Sequence, residues 1–250
     1  MPYFIFIVNP AAGKGLHTES LCAKIHHYFS ARNMGFEIHL TTGPQDAFQF
    51  VQSYPRQKEG AQICFVACGG DGTLHEVVNG AAKRSDCTVA VIPCGSGNDY
   101  VKNFGSADAF TDLERLVQGA PRPVDLLDCS GEYAVNLCNI GFDARVAHHM
   151  SKFKRIPFVS GPLAYTLSLL FCILGPISST MAISCHGGET VVEKLVLAVI
   201  ANGFCYGGGV LSCTRSLHSR RRDGILRHTQ NVAVSDVPLY PYLSKGPASE

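Results

Sequence analysis

The sequence predicts an α/β protein, with an N-terminal doubly wound parallel sheet followed by a second, mainly antiparallel β domain. Two observations carry this. As far as Pro121, short apolar runs alternate with stretches of helical spacing, joined by Gly-rich loops. Beyond Pro121 the rhythm changes to strand-like segments separated by Gly-rich or polar turns.

The elements follow in order. "YFIFIV", residues 3–8, is an apolar run of the kind that a central parallel strand needs, and it stops at Asn9-Pro10. A helical stretch runs from Thr18 to Asn33, with Leu21, Ile25 and Tyr28 or Phe29 on one face. "FEIHLT", residues 36–41, alternates as a strand. "DAFQFVQSY" reads as a helix capped by Asp46. "AQICFVAC", residues 61–68, is a second buried strand leading into a glycine loop, and a helix from Leu74 to Ala82 follows. "TVAVIPC", residues 88–94, repeats the pattern and runs into Gly95-Ser96-Gly97. Past "GAPRPV" the segments "VDLLDC", "YAVNLCNIGF", "TMAISCHGG" and "KLVLAVIAN" read as strands. The expected domains are residues 1–122 and 123–250.

Composition narrows the function. Hydrophobic residues make up 46% of the 250, enough for a substantial core, and the formal net charge of +1 gives no bulk attraction to nucleic acid. The eleven cysteines are odd in number and lack zinc-ligand spacing, as expected of reduced thiols in the cytoplasm. Cys68 and Cys94 read as small core residues, and the ten histidines, His26-His27 and His148-His149 among them, show no catalytic spacing. "PLAYTLSLLFCILGP" has 15 residues, short of the roughly 20 that a spanning helix needs. It reads as a helix that is buried or lies on a surface. With the basic "SKFKR" (151–155) before it, it offers a peripheral contact to the inner face of a membrane.

Three loops carry the chemistry: Asn9–Gly13, Gly69–Thr73 and Pro93–Asn98. Each follows the C-terminal end of an expected parallel strand, the edge where open α/β sheets bind ligands. Glycine lets a ligand approach the backbone, and free N–H groups at a helix start attract anions. Thr73 is placed to cap the Leu74 helix, with Glu76 as its capping-box partner. Together the loops indicate a nucleotide.

"GGDGTLHEVVNG", "NPAAGKG" and "PCGSGNDYVKNFG" resemble the diacylglycerol kinase catalytic family, the soluble bacterial lipid-kinase group related to sphingoid-base and ceramide kinases. "NIGFDARV" and "ANGFCYGGG" match later family segments. The resemblance implies ATP-dependent phosphoryl transfer to a lipid hydroxyl, with diacylglycerol as acceptor and Mg²⁺ as cofactor. It implies nucleotide contacts at Asn9, Pro10, Ala11, Ala12, Gly13, Thr41, Gly70, Asp71, Gly72, Thr73, Leu74, His75, Glu76 and Ser96. Asp71 falls beside the phosphates and is the candidate catalytic residue. "DGIL" resembles the family's magnesium site, with Asp223 as carboxylate and the Arg220 and Ile225 carbonyls as ligands. Partners implied are ATP and a lipid, without nucleic acid. A homodimer is compatible. Sphingoid-base kinase, NAD kinase, or a defective nucleotide- or lipid-binding protein are the alternatives.

Two departures from the family pattern stand out. Arg222 ends a run of three arginines where the family often carries an acid, and a cation there costs about 1 kcal/mol or more beside a bound Mg²⁺ at an effective dielectric near 20. The family's general base lies in a later C-terminal strand. The sequence reaches "SKGPASE" first, and neither Asp236 nor Glu250 stands in the matching context. The expectation is a chain truncated or altered at its C-terminus, with a sheet edge left bare.

Overall fold

A computed structural model describes residues 2–15, 18–56, 62–105, 107–153, 156, 159, 161–184, 190–207, 210–211 and 233–236. The N-terminal sheet is parallel and has four strands in the order β2-β1-β3-β4. These are β1 (Tyr3–Val8), β2 (Phe36–Leu40), β3 (Ile63–Gly69) and β4 (Cys87–Pro93). Val8 sits opposite both Leu40 and Cys68, and Cys68 opposite Ile92, so the strands end level and their loops emerge on one edge.

The central strands explain their own composition. All of β3 is buried, and so is β1 apart from Tyr3, whereas β2 and β4 are edges and only partly buried. Because side chains alternate along a strand, each central strand feeds two cores. Ile5, Ile7, Phe65 and Ala67 pack against α2 (Asp46–Ser53) and α3 (Asp71–Ala81). Phe4, Phe6, Val8, Val66 and Cys68 pack against α1 (Thr18–Ser30) and α5 (Leu113–Gln118). Phe29 meets Phe4 and Phe6 edge-on, with ring centroids 5.2 and 5.1 Å apart. Helices therefore cover both faces, as a doubly wound sheet requires.

Local expectations at three helix ends are corrected. Helix α3 begins at Asp71, three residues before Leu74, and its N-cap is Gly70. Thr73 is thus buried inside the first turn and caps nothing, and Glu76 accepts from the Gln45 backbone N–H (3.0 Å) instead of closing a capping box. Asp46 opens α2 without capping it. Its carboxylate takes the Thr42 backbone N–H (2.8 Å), the Thr42 hydroxyl and His39 Nε2 (2.6 Å), stapling the turn that precedes the helix. Helix α1 stops at Ser30, and the chain turns away through Asn33 in the left-handed region (φ 52°). The far end of α2 is tied by Arg84, whose Nη1 donates to the carbonyls of Val51 (3.0 Å) and Tyr54 (2.7 Å) while Asp86 balances its charge at 2.8 Å.

The remaining strands form small sheets, antiparallel wherever their pairing is described. A hairpin joins β5 (Leu127–Cys129) to β6 (Glu132–Ala134) through Ser130 and Gly131, both at positive φ. β7 (Leu137–Gly141) pairs with β10 (Leu197–Ala201). β8 (Ser179–Ser184) lies between β9 (Val191–Leu195) and β13 (Ala233–Asp236), antiparallel to both. A short pair, β11 (Cys205–Tyr206) and β12 (Val210–Leu211), completes the described strands. "FDARV" belongs to a helix, α6 (Phe142–Phe153), that the strand reading did not anticipate. The expected apolar helix is present as α7 (Gly161–Ile173).

The chain falls into two compact units: Met1–Cys138 with Ile200–Thr229, and Asn139–Val199 with Gln230–Glu250. The β5–β6 hairpin belongs to the first because Asn79 of α3 holds it, accepting from Tyr133 N (2.7 Å) and donating to Tyr133 O (2.8 Å). In the second unit Gly141, at φ 100°, sits where a Cβ would lie 2.6 Å from the Val196 carbonyl.

Candidate nucleotide site

Four loops meet above the C-terminal edge of the sheet. After β1, Asn9 folds its own turn: its Oδ1 accepts from Ala11 N (2.9 Å), and its carbonyl accepts from Ala12 N (3.1 Å). Its Nδ2 donates to Thr73 Oγ1 (3.0 Å), so the β1 loop is tied directly to the first turn of α3. Pro10 and Ala11 form a turn that leads into a short 3₁₀ turn (Ala12–Gly15). Gly13 is left-handed (φ 58°), and a Cβ there would lie 2.5 Å from the Cys94 carbonyl oxygen. The loops after β1 and β4 therefore touch, backbone to backbone.

The loop after β3 needs its glycines for the same reason. A Cβ on Gly69 would strike Thr73 Oγ1 at 2.2 Å, and one on Gly95 would come within 2.5 Å of the Gly70 Cα. Cys94 N donates to Gly69 O (2.8 Å). Helix α3 starts with no side chain on its first N–H groups, because Gly70 offers none. This 11-residue helix thus presents an open N-terminus at the C-terminal edge of the sheet, an arrangement whose N–H groups favour anions.

Asp71 is exposed at that N-terminus. Its Oδ1 accepts from Asp99 N (2.8 Å) and Tyr100 N (3.3 Å), the start of the short helix α4 (Asp99–Lys102). Its Oδ2 faces Gly97, where a Cβ would sit 2.7 Å away. The loop after β4 is closed by Asn98, left-handed at φ 53°, which accepts from Gly95 N (3.0 Å) and donates to Gly95 O (2.7 Å). Ser96 is exposed at its tip. Beneath Asp71, a cavity of about 10 Å³ is bounded by Gly70, Leu74, Pro93 and Tyr100.

Thr41 follows β2 on the same edge, held by its N–H to Val8 O (2.9 Å), and Glu76 reaches the Gln45 backbone beyond it. Leu74 is turned into the core, so it contributes backbone only. His75 is the outlier: its Nε2 points to Glu132 at 3.5 Å, and its ring lies beside Asn79. Burial pushes the Cys68 thiol well up and raises that of Cys94, so neither is a nucleophile. The expected magnesium ligands Arg220, Asp223 and Ile225 lie outside the described residues, as does Glu250, while Asp236 ends β13.

One set of residues was not anticipated. Asn103 accepts through Oδ1 from Phe204 N (2.7 Å) and Cys205 N (3.1 Å), and donates to Tyr100 O (2.9 Å) and Asn136 Oδ1 (3.0 Å). Asn136 in turn donates to Cys205 O (2.9 Å). The available signal was polar asparagine inside apolar segments, "YVKNF" and "AVNLC". Such residues are hydrogen-bonded when buried.

A glycine-lined loop edge crowns the four-stranded parallel sheet, and the chain belongs to the diacylglycerol kinase catalytic domain family, whose pattern matches residues 3–129. Among known relatives, a diacylglycerol kinase of Bacillus subtilis is 32% identical over 168 residues, covering 64% of this chain and 52% of that protein. A diacylglycerol kinase of Mycobacterium tuberculosis is 29% identical over 194 residues, covering 71% and 59% respectively. The crystal structure of a diacylglycerol kinase from Bacillus anthracis superposes with a TM-score of 0.61 at 26% identity, over 84% of this chain and 67% of that one. The chain thus spans about half the length of the B. subtilis relative.

Proposed function

We propose that the protein is an ATP-dependent lipid kinase, transferring the γ-phosphate to a lipid hydroxyl, with diacylglycerol as the favoured acceptor. ATP and the lipid alcohol would yield the lipid phosphate, ADP and a proton. The observation that carries this reading is the convergence of the Gly13, Gly70 and Gly95 backbones at the open N-terminus of α3. Phosphoryl transfer needs positioning and charge neutralisation more than covalent chemistry from the protein. Backbone N–H groups of Gly13 and of Gly70 to Thr73 would hold the phosphates, with the turn of residues 10–12, folded on Asn9, lying against the nucleotide. Asn9 would keep the two loops in register, and Thr41 and Ser96 would flank the nucleotide. The proposed division of labour gives residues 1–122 to the nucleotide and 123–250 to the lipid, which would be reached at the inner membrane face.

Magnesium fits this donor set. It is commonly held by one or two carboxylates together with substrate phosphates. Asp71 has one oxygen committed to α4 and the other directed at the glycine loop. Asp71 would lie beside this ion, which supplies charge neutralisation at the transferring phosphate, while Asp223 with the Arg220 and Ile225 carbonyls would form the separate magnesium site that the resemblance implies.

The test offers labelled ATP with diacylglycerol, a sphingoid base or NAD. Label in phosphatidic acid that disappears in Asp71→Asn is the expected outcome. Transfer to NAD, or ATP binding with no transfer to any acceptor, would overturn the reading.

A further inference from the structure

Two thiols lie together near the end of the first unit's leading segment, away from the glycine loops. Cys129 closes β5, and Cys138 is the second residue of β7. Both are half-buried free thiols. The Cys129 thiol donates a hydrogen bond to the Cys138 sulfur.

Contacts elsewhere hold both supports in place. The hairpin that carries Cys129 is paired in register, with Leu127 opposite Ala134 and Cys129 opposite Glu132. Asn79 of α3 fastens its second strand at Tyr133, through hydrogen bonds of 2.7 and 2.8 Å. The approach to β7 is fastened at Asn136, which donates to Cys205 O at 2.9 Å and accepts through Oδ1 from Asn103 at 3.0 Å. Asn202 joins the two approaches. Its Nδ2 donates to Asp125 O ahead of β5, and its backbone N–H to Asn136 O ahead of β7, each at 2.8 Å. Leu126 and Val135 pack against one and the same buried core. The meeting of Cys129 with Cys138 is thus a product of the backbone arrangement. Other cysteines are placed differently. Cys64, Cys68, Cys172 and Cys205 are buried, Cys172 with Ala164 and Ser168 on the inward face of α7. Buried thiols are inert.

We propose that Cys129 and Cys138 are a modification site, a dithiol that closes to a reversible disulfide when the chain meets a low-molecular-weight disulfide. The Cys138 thiolate attacks the small disulfide, forms a mixed disulfide with it and expels one thiolate. Cys129 then gives its proton to solvent, attacks the Cys138 sulfur and expels the second thiolate. Two protein thiols are oxidised, and one small disulfide is reduced to two thiols. The surroundings set this order. The Cys129 thiol is pushed up to about 12, first by burial, then by its hydrogen bond to Cys138 and by the charges of Cys138, Asp128 and Glu132. It therefore keeps its proton while Cys138 is free. Capping Cys138 removes both contributions of that neighbour. The bond would stiffen the passage from the hairpin to β7, where the first unit's leading segment ends. In a reducing compartment such a bond is transient and redox-sensing. The proposal involves neither ATP nor a lipid, so it stands apart from the kinase reading.

The test incubates the full chain with oxidised glutathione, blocks the remaining thiols, and cleaves after Glu132 and Arg145, which leaves Cys129 and Cys138 on separate fragments. Mass spectrometry should find those two fragments joined, and dithiothreitol should release them. The oxidised chain should melt about 5 °C higher, because the bond closes a short loop in the unfolded state. Amides of residues 130–137 should exchange about tenfold more slowly. Cys129→Ser and Cys138→Ser should each abolish the link, and Cys22→Ser should leave it intact. The fragments of the parent chain decide the matter even where a variant fails to fold. Both thiols blocked, glutathione retained on either without closure, linkage to a different cysteine, or a lower melting temperature would each overturn the proposal.

Discussion

Gly72 separates a structural role from a ligand role more cleanly than any other residue of the site. It lies in the first turn of α3, is exposed, and a Cβ there would meet nothing within 4 Å. Gly72→Ala should therefore fold as well as the parent, or better by about 0.5 kcal/mol, because alanine is the stronger helix former. It should nonetheless weaken Mg·ATP at least tenfold, since the methyl occupies the space a phosphate needs. Calorimetric titration beside a thermal melt reads both, and unchanged ATP affinity would count against the phosphate placement. Asp46 makes a pH prediction. Hydrogen bonds from Thr42 and His39 hold its carboxyl down at about 2, below its ordinary 3.8. A depressed folded-state value contributes stability that is complete above pH 4 and is lost as pH falls towards 2. Asp46→Asn should flatten that part of the acid limb, measured as denaturation midpoint against pH. The need for glycine at 13, 70 and 95 was legible from the residue types. Asp46 was not: aspartate before a helical run reads as a cap, and only the tertiary position of His39 and Thr42 redirects it.

At the level of elements, α4 is the informative piece. It has four residues, too few to hold itself together, yet its first N–H groups fix Asp71. Its other end is held by Asn103, which bridges to Asn136 and to the backbone of Phe204 and Cys205. Asn103→Ala would leave the Phe204 and Cys205 amides without this acceptor and free α4. A loss of about 1–3 kcal/mol is expected, with weaker Mg·ATP binding, and Asn103→Asp should restore the acceptor half of the network. Denaturant titration of the three proteins measures it. The strands of the N-terminal sheet were legible because apolar runs such as "YFIFIV" are buried on both faces. The start of α3 was displaced by three residues because glycine has low helix propensity, while the packing of Leu74, Val77 and Val78 carries the helix back to Asp71. Helix α6 was missed for a related reason. Only Val146 among its residues is buried, so its sequence shows basic periodicity in place of an apolar stripe.

Across the whole molecule, the glycine loops and both sheet cores belong to the first unit, while α6 and α7 belong to the second. Ligand stabilisation should be correspondingly local. Mg·ATP at about 100 times its dissociation constant should stabilise the first unit by about 2.7 kcal/mol. Amide exchange should slow in β1, β3 and α3 and stay unchanged in α7. Uniform protection of both units, or none, would contradict a site confined to the sheet edge. The repeated strand–loop–helix order was enough to foresee helices on both faces. The return of residues 200–207 to the first unit was not foreseeable, because it depends on asparagine hydrogen bonds between segments far apart in sequence.

By itself the sequence determined the α/β class, the four parallel strands and the three glycine loops, together with the family they resemble. These are properties of local pattern: periodicity, apolar runs and residues without a Cβ. Tertiary structure alone decided that Asn9 pairs with Thr73, that Asp71 hangs from α4, and that α7 turns its small residues inward. Each of those depends on which distant backbone lies within hydrogen-bonding or van der Waals reach, a relation between segments that no window along the chain contains.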